Sequence, residues 1–192
     1  MSTFVILLRA VNVGGTGKFP MADLRRIAAD AGYSDPETYI ASGNLLVDAG
    51  DDDEATVGTT LEAALHEYAG APVGVLVRAP DELRRVLERN PFPGVPGNRV
   101  AVIFLPTAPP SDAVDSVSRA DAGEQVVAGE RVLYVHYPQG MGTSRLKIPA
   151  AAAGTTRNVN TVAALVELCE RRSSEELSSR ARRTSSPERP AP

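Results

Sequence analysis

The residues best suited to chemistry form a polar, glycine-rich turn near the N terminus. Residues 12–18 follow an apolar run that ends at Leu8, and a helical pattern opens at Pro20. Glycine adopts positive φ at little cost, so several backbone amides of such a turn can point at one ligand oxygen. A helix start adds the positive end of its dipole. The turn therefore predicts an anion site, held by Arg9, Asn12, Gly14, Gly15 and Lys18.

Two familiar phosphate motifs do not fit this turn. The Walker A pattern requires glycine where Asn12 stands and a hydroxyl residue where Phe19 stands. The dinucleotide-binding pattern places its third glycine at Pro20. A glycine cluster also suits a tight strand-to-helix turn without a ligand, and that alternative stays open.

Two further polar segments are predicted to close over the same anion. One is the tip of an antiparallel hairpin between two short apolar runs, at residues 42–44. The other is a loop at 155–160 before a helical run, where the cation of Arg157 is unfavourable at a helix start unless an anion accompanies it. The predicted contacts from these segments are Ser42, Gly43, Asn44, Thr156, Arg157 and Asn158.

The leading interpretation is the binding of a small phosphorylated or nucleotide-like molecule. A second is an enzyme that uses the pocket for group transfer or hydrolysis, with Lys18, Arg157 and His136 as polar groups. No nucleophile and base stand out together, so catalytic residues remain unassigned. His136 also suits a hydrogen-bonded structural role. A third interpretation is a nucleic-acid or protein interaction module.

Composition limits the possible functions and the possible cellular location. The net charge is −4, and the stretch from Arg171 onward is basic, so the remainder is more acidic still, which argues against broad nucleic-acid binding. A single cysteine, Cys169, excludes an internal disulfide and favours a reducing compartment. We see neither a signal peptide nor a membrane span and expect a cytoplasmic protein. We expect no metal and no cofactor, since no ligand spacing is recognisable. The oligomeric state stays open.

Periodicity predicts the elements that position these residues. Strand, helix, strand, strand, helix and strand follow one another over residues 1–79, the order of a ferredoxin-like split βαβ unit. A second α+β unit over 80–172 is predicted to pack on the first, with a helix at Pro109–Ser118 and a hairpin turning at 128–130. Residues 173–192 are nearly devoid of apolar side chains and predict a disordered tail.

Four segments resemble the bacterial domain of unknown function 1697 family. They are LLRAVNVGGTGKFPMADLR, TYIASGNLLVD, the Asn-Pro-Phe of residues 90–92, and TTRNVNTVAALVEL. The resemblance spans Phe4 to about Leu168 and implies an α+β fold of ferredoxin-like character, but no activity. Ala10 and Gly17 depart from the family pattern, and Val159 replaces a usual tryptophan, so a site that uses that tryptophan would be altered here.

Overall fold

The N-terminal half builds the sheet that the periodicity predicts. A computed structural model describes residues 2–9, 19–40 and 43–184. In chain order the elements are β1 Thr3–Leu8, α1 Met21–Asp30, β2 Ser34–Tyr39, β3 Asn44–Asp48, α2 Glu54–Ala69 and β4 Val75–Arg78. The strands lie in the order β2-β3-β1-β4, with every neighbouring pair antiparallel. This is the ferredoxin-like arrangement, so that prediction is confirmed.

The C-terminal half forms a second four-stranded antiparallel sheet. Its elements are α3 Pro80–Glu88, β5 Val100–Phe104, β6 Gln125–Ala128, β7 Val132–His136, β8 Thr155–Asn158 and α4 Val159–Thr184. The strand order is β6-β7-β5-β8. The molecule is thus an α+β fold of two antiparallel sheets, as the sequence predicts, and both predicted hairpins are present.

Alternation along β1 explains why the two sheets pack together. Ile6 and Leu8 point into one core, with α1 and α2. Val5 and Leu7 point the opposite way, into a core that also contains Phe104 of β5 together with side chains of α3 and α4. Because successive strand residues face opposite sides, one strand contributes to both cores. The two sheets therefore share apolar contacts, and β1 is held from both faces.

Three details differ from the sequence predictions. Residues 109–118 are not helical: residues 111–116 form turns and Ser118 forms an isolated β-bridge with Lys147, because adjacent prolines and local bonds such as Ser116 Oγ to the Ala113 carbonyl compete with a helix. The predicted loop at 155–160 is instead β8 followed directly by α4. Helix α4 continues to Thr184, so the predicted disorder is not found over 173–184, and residues 185–192 lie outside the described part.

The extension of α4 follows from what comes before it. Val162, Leu165 and Cys169 pack in the shared core, and Arg172 pairs with Glu37 of β2 at 3.3 Å. Once a helix is nucleated and anchored, each further residue is added with little opposition. None of the helices in the described ranges combines the length and the hydropathy needed to cross a bilayer.

Cys169 offers a test of this packing. Burial raises the pKa of its thiol to about 11, and the side chain is only 3% exposed. The folded state therefore keeps the proton through a range in which the unfolded chain loses it. We expect the free energy of unfolding to fall between about pH 9 and pH 11, by an amount of the order of 2 kcal/mol attributable to the thiol.

The measurement is urea unfolding across this pH range for the wild type and for Cys169→Val. The buried tyrosines are present in both proteins, so the difference isolates the thiol. In the folded wild type at pH 8, Ellman's reagent should react slowly, and it should react fully in guanidinium. Equal pH slopes for the two proteins would show that the thiol is not buried as described.

Candidate functional site

The end of β1 is where the polar segments meet. The Leu8 amide donates to the carbonyl of Gly43 at 2.9 Å, and the Arg9 amide donates to the carbonyl of Gly74 at 2.9 Å. Thr155 of β8 donates its hydroxyl to the Leu8 carbonyl at 2.9 Å. The end of β1, the β2-β3 hairpin, the entry to β4 and the start of β8 thus converge on one place.

Arg157 joins these segments through all five of its N–H groups. Its Nε donates to Asn44 Oδ1, and its Nη1 donates to Thr155 Oγ1 and to the Thr156 carbonyl. Its Nη2 donates to the Leu8 carbonyl at 3.2 Å and to the Gly43 carbonyl at 3.1 Å. A guanidinium offers five donors in a fixed fork, so this side chain is fully hydrogen-bonded by oxygens from three different segments.

The surroundings of Arg157 are buried and neutral. The residue is 6% exposed, and Asn44, which accepts from it, is completely buried. Burial lowers the pKa of the Arg157 guanidinium to about 10. Within the described ranges, no carboxylate lies within 4 Å of it. The positive charge is therefore solvated by dipoles alone.

Two other arginines of this chain, one fully and one partly buried, lie close to carboxylates. Arg78 is fully buried and lies 3.0 Å from Glu82 and 3.6 Å from Glu54. Arg131 reaches the same two carboxylates, at 2.5 Å from Glu54 and 3.7 Å from Glu82. Burial raises the pKa of Glu82, and the attraction of Arg78 and Arg131 opposes that shift. These four side chains form a neutral quartet, whereas Arg157 has no counter-charge in the described structure.

Arg9 lies beside this buried cation and is also without a carboxylate among the described residues. Its Nη2 donates to the Ala152 carbonyl at 3.0 Å, while its Nε is buried and has no acceptor. The side chain lies against Gly74, where a Cβ atom would come within 3.2 Å of Arg9 Cδ. The absence of a side chain at Gly74 thus leaves room for the guanidinium, which retains one unused donor.

The structure brings together part of the predicted site. Gly43, Asn44 and Arg157 lie within one hydrogen-bonded network at the end of β1, and the Thr156 carbonyl also accepts from Arg157. Arg9 follows the end of β1 in the chain, but its own bonds go to the Gly74 and Ala152 carbonyls. Asn158 Oδ1 instead accepts from the Thr161 amide at 2.8 Å and caps α4. The remaining predicted residues lie outside the described part of the chain, namely Asn12, Gly14, Gly15, Lys18 and Ser42.

One predicted cause is wrong. Arg157 does not sit at a helix start, because β8 pairs it with Val102 of β5 before α4 begins. The unfavourable electrostatic environment of Arg157 therefore does not come from a helix dipole. It comes from burial without a carboxylate, which sequence spacing cannot show.

Sequence analysis also missed several members of the network. Thr155 is buried and bonds both Leu8 and Arg157, and the carbonyl of Ala152 holds Arg9. The structure shows a buried, exposed, buried alternation over residues 155–157, but all three are polar residues, so the sequence itself carries no signal that Thr155 points inward. Nor does any signal mark backbone carbonyls, which every residue has.

His136, considered as a catalytic group, lies away from Arg157, and the described ranges contain no cluster of side chains suited to a metal ion. The ring of His136 packs against Phe92, with centroids 5.5 Å apart, and none of its contacts reaches Arg157. Among the residues with described positions, no three His, Cys, Asp or Glu side chains approach closely enough to hold a metal ion. The arrangement is thus suited to electrostatic binding by Arg9 and Arg157.

Comparison with known proteins identifies the family. The family described as "Protein of unknown function (DUF1697)" matches residues 1–134. The chain belongs to the DUF1697 family. This confirms the resemblance inferred from the motifs, although the matched region ends before β8. No curated protein matches the chain.

A solved structure supports the fold of this DUF1697 protein. The conserved bacterial protein SP0830 from Streptococcus pneumoniae is 22% identical and superposes with a TM-score of 0.68, covering 86% of this chain and 97% of that chain. At this identity the likeness concerns the fold alone.

The role of Arg157 in joining the segments can be measured by replacing it with lysine. Arg157→Lys keeps the charge but has three donors in place of five, so at least two of the five oxygens lose their hydrogen bond to this residue, although the Leu8 and Gly43 carbonyls keep their bonds from Thr155 and from the Leu8 amide. Each such loss destabilises by about 1–3 kcal/mol, and we expect the free energy of unfolding to fall by about 2–4 kcal/mol in urea titrations. Arg99→Lys, at an exposed arginine that bonds the Pro138 carbonyl, should stay within about 0.5 kcal/mol of wild type. Equal losses in both variants would contradict the special role of Arg157.

Proposed function

We propose that this DUF1697 protein binds a small phosphorylated or nucleotide-like anion at the end of β1. The observation that carries the proposal is the pair of guanidiniums of Arg9 and Arg157, neither of which has a carboxylate partner in the described structure. Uncompensated positive charge in a poorly solvated place favours an anion.

The two arginines have different roles in this proposal. All five donors of Arg157 already have protein acceptors, so its contribution is the electric field of a buried charge. Arg9 is only partly buried, and the one described hydrogen bond of its guanidinium, from Nη2 to the Ala152 carbonyl, is exposed, so this end of the side chain is suited to direct contact. Lys18 and the amides of Gly14 and Gly15 are proposed as the other direct contacts.

The two described residues that flank the glycine-rich segment support this assignment. Residues 10–18 connect Arg9, which is hydrogen-bonded to Gly74, with Phe19, which is buried in the first core and stacks on Tyr68 at 5.1 Å. Both ends of the segment are thus fixed in the fold, one of them beside Arg157. At the hairpin, Gly43 has a φ of 74°, a conformation that glycine adopts readily, and its carbonyl faces Arg157.

Binding is favoured over turnover by the chemistry of the described groups. The partners of Arg9 and Arg157 are carbonyls, one hydroxyl and one amide, none of which titrates near neutral pH. We also propose a cytoplasmic location, which the single, buried and unpaired thiol of Cys169 supports.

The proposal is tested by thermal shift and calorimetry with pyrophosphate, AMP and ATP as probes. A ligand at one hundred times its dissociation constant should stabilise the fold by about 2.7 kcal/mol. Arg9→Gln and Lys18→Gln should weaken binding of the best probe by about tenfold or more, since each removes a charged contact. Lys147→Gln, at the chain's one other lysine, which is exposed, is the matched control and should leave binding unchanged.

A second variant separates the field of Arg157 from its structural role. Asn44→Asp places a carboxylate on the atom that already accepts from Arg157 Nε, so it neutralises the charge inside the folded protein. The change also removes the bond from Asn44 Nδ2 to the Tyr39 carbonyl at 2.9 Å, so we expect a lower melting temperature together with a loss of affinity for the same probe. A purely structural role of Arg157 would leave the affinity of the folded variant unchanged. The proposal fails if no probe shifts the melting temperature, or if Lys18→Gln and Lys147→Gln change the affinity for the probe equally.

A further inference from the structure

The outer edge of the second sheet is an unprotected strand. Strand β6, Gln125–Ala128, contains no charged residue and no proline, and Val127 is 38% exposed. Natural edge strands are usually blunted by charges, proline or a covering element. The β4 edge of the first sheet is protected in this way, because Glu62 accepts from the Val75 amide at 3.1 Å. No such contact to β6 occurs in the described structure.

The hairpin geometry fixes which groups of β6 remain free. The Gly129 amide donates to the Val132 carbonyl at 2.8 Å, and Val127 lies opposite Tyr134. In an antiparallel pair, alternate residues exchange both backbone bonds with the partner strand. Counting from residue 129, Val127 bonds toward β7, so the amide and carbonyl of Val126 and of Ala128 face outward.

A charged cavity lies directly beside this edge. It has a volume of about 160 Å³ and is bounded by Val127 and Gly129 on one side and by Arg85 of α3 and Arg89, which caps that helix, on the other. Its other charged lining residues are Glu82, Glu130 and Arg131, so three arginines face two glutamates and the lining carries a net positive charge. Arg85 has no ion pair within the described ranges, and Arg89 reaches only Glu130, at 3.3 Å with both side chains largely exposed. Exposed pairs of this kind contribute little, so both guanidiniums are available to an incoming carboxylate.

We propose that β6 binds an extended acidic peptide segment of a partner protein by strand addition. An antiparallel segment placed against β6 exchanges four backbone bonds with Val126 and Ala128. The residue between those two bonded positions lies opposite Val127 and shares its face of the sheet, toward α3. That residue carries the carboxylate that Arg85 and Arg89 bind. Backbone bonds thus supply affinity, and one side-chain position supplies selectivity.

A second copy of this chain fits the same edge poorly. Symmetric pairing of two antiparallel edges requires a two-fold axis perpendicular to the sheet, which keeps α3 of both copies on the same face. Arg85 and Arg89 of one copy would then approach the same pair of the other, and such like charges repel. The charge beside the edge therefore favours an acidic partner over self-association.

The test uses fluorescein-labelled peptides and anisotropy with the full chain. The probe has the sequence Gly-Thr-Val-Glu-Val-Thr-Gly, and its controls carry lysine in place of glutamate or N-methyl groups on the two flanking valines. We expect the glutamate peptide to bind and both controls to lose binding. Arg85→Gln should weaken the glutamate peptide by about tenfold. The matched control is Arg84→Gln on the same helix, whose side chain contacts Asp81 and Glu170 instead, and it should bind like wild type.

Three results would overturn the proposal. They are the absence of binding by the glutamate peptide, binding that N-methylation or Arg85→Gln leaves unchanged, and sedimentation as a dimer that Val127→Lys converts to a monomer. The last outcome would assign the edge to a second copy. Because neither Arg85 nor Val127 belongs to the site at the end of β1, failure here leaves the proposed anion binding untouched.

Discussion

The fold depends on one buried guanidinium that fastens three distant segments of the chain. Arg157 of β8 binds carbonyls at the end of β1 and at the β2-β3 hairpin, so it connects the second sheet to the first where no strand pairing does. Apolar packing in the shared core holds the two sheets together but does not by itself fix their relative orientation. The five hydrogen bonds fix their register at one end, because a planar fork accepts only one arrangement of oxygens.

The protein contains two kinds of buried positive charge, one paired with carboxylates and one, on Arg157, without a described carboxylate partner. The quartet of Arg78, Arg131, Glu54 and Glu82 joins α2, α3 and β4 with equal numbers of each charge. Because its two positive and two negative charges balance, this group does not favour the binding of a further ion. At the end of β1 the charge is solvated only by dipoles, and the lowered pKa of Arg157 records the cost of that burial. Under the proposed function, a ligand that supplies the missing negative charge would recover part of this cost and so raise the stability of the fold.

The sequence predicted the fold better than the site, for a physical reason. Alternation and helical spacing are local properties, so β1, the β2-β3 hairpin and the β6-β7 hairpin could be predicted from the chain itself. The contacts of Arg157 join residues more than a hundred positions apart, and no local pattern encodes them. The sequence predicts residues 155–160 as a loop before a helix, and threonine and asparagine favour such positions at helix starts. Pairing with β5 overrode that preference, and only Asn158 kept the capping role.

The continuation of α4 follows the same logic. Residues 173–178 are exposed and mostly polar, so composition alone predicts disorder. Arg171 and Arg172 bind Glu37 of β2 at 2.7 and 3.3 Å, and this contact anchors the helix where its apolar face ends. A helix held at that point can extend without packing, because elongation requires far less ordering than nucleation. Tertiary anchoring upstream, rather than the composition of the segment itself, therefore explains why the helix continues through residues 173–184.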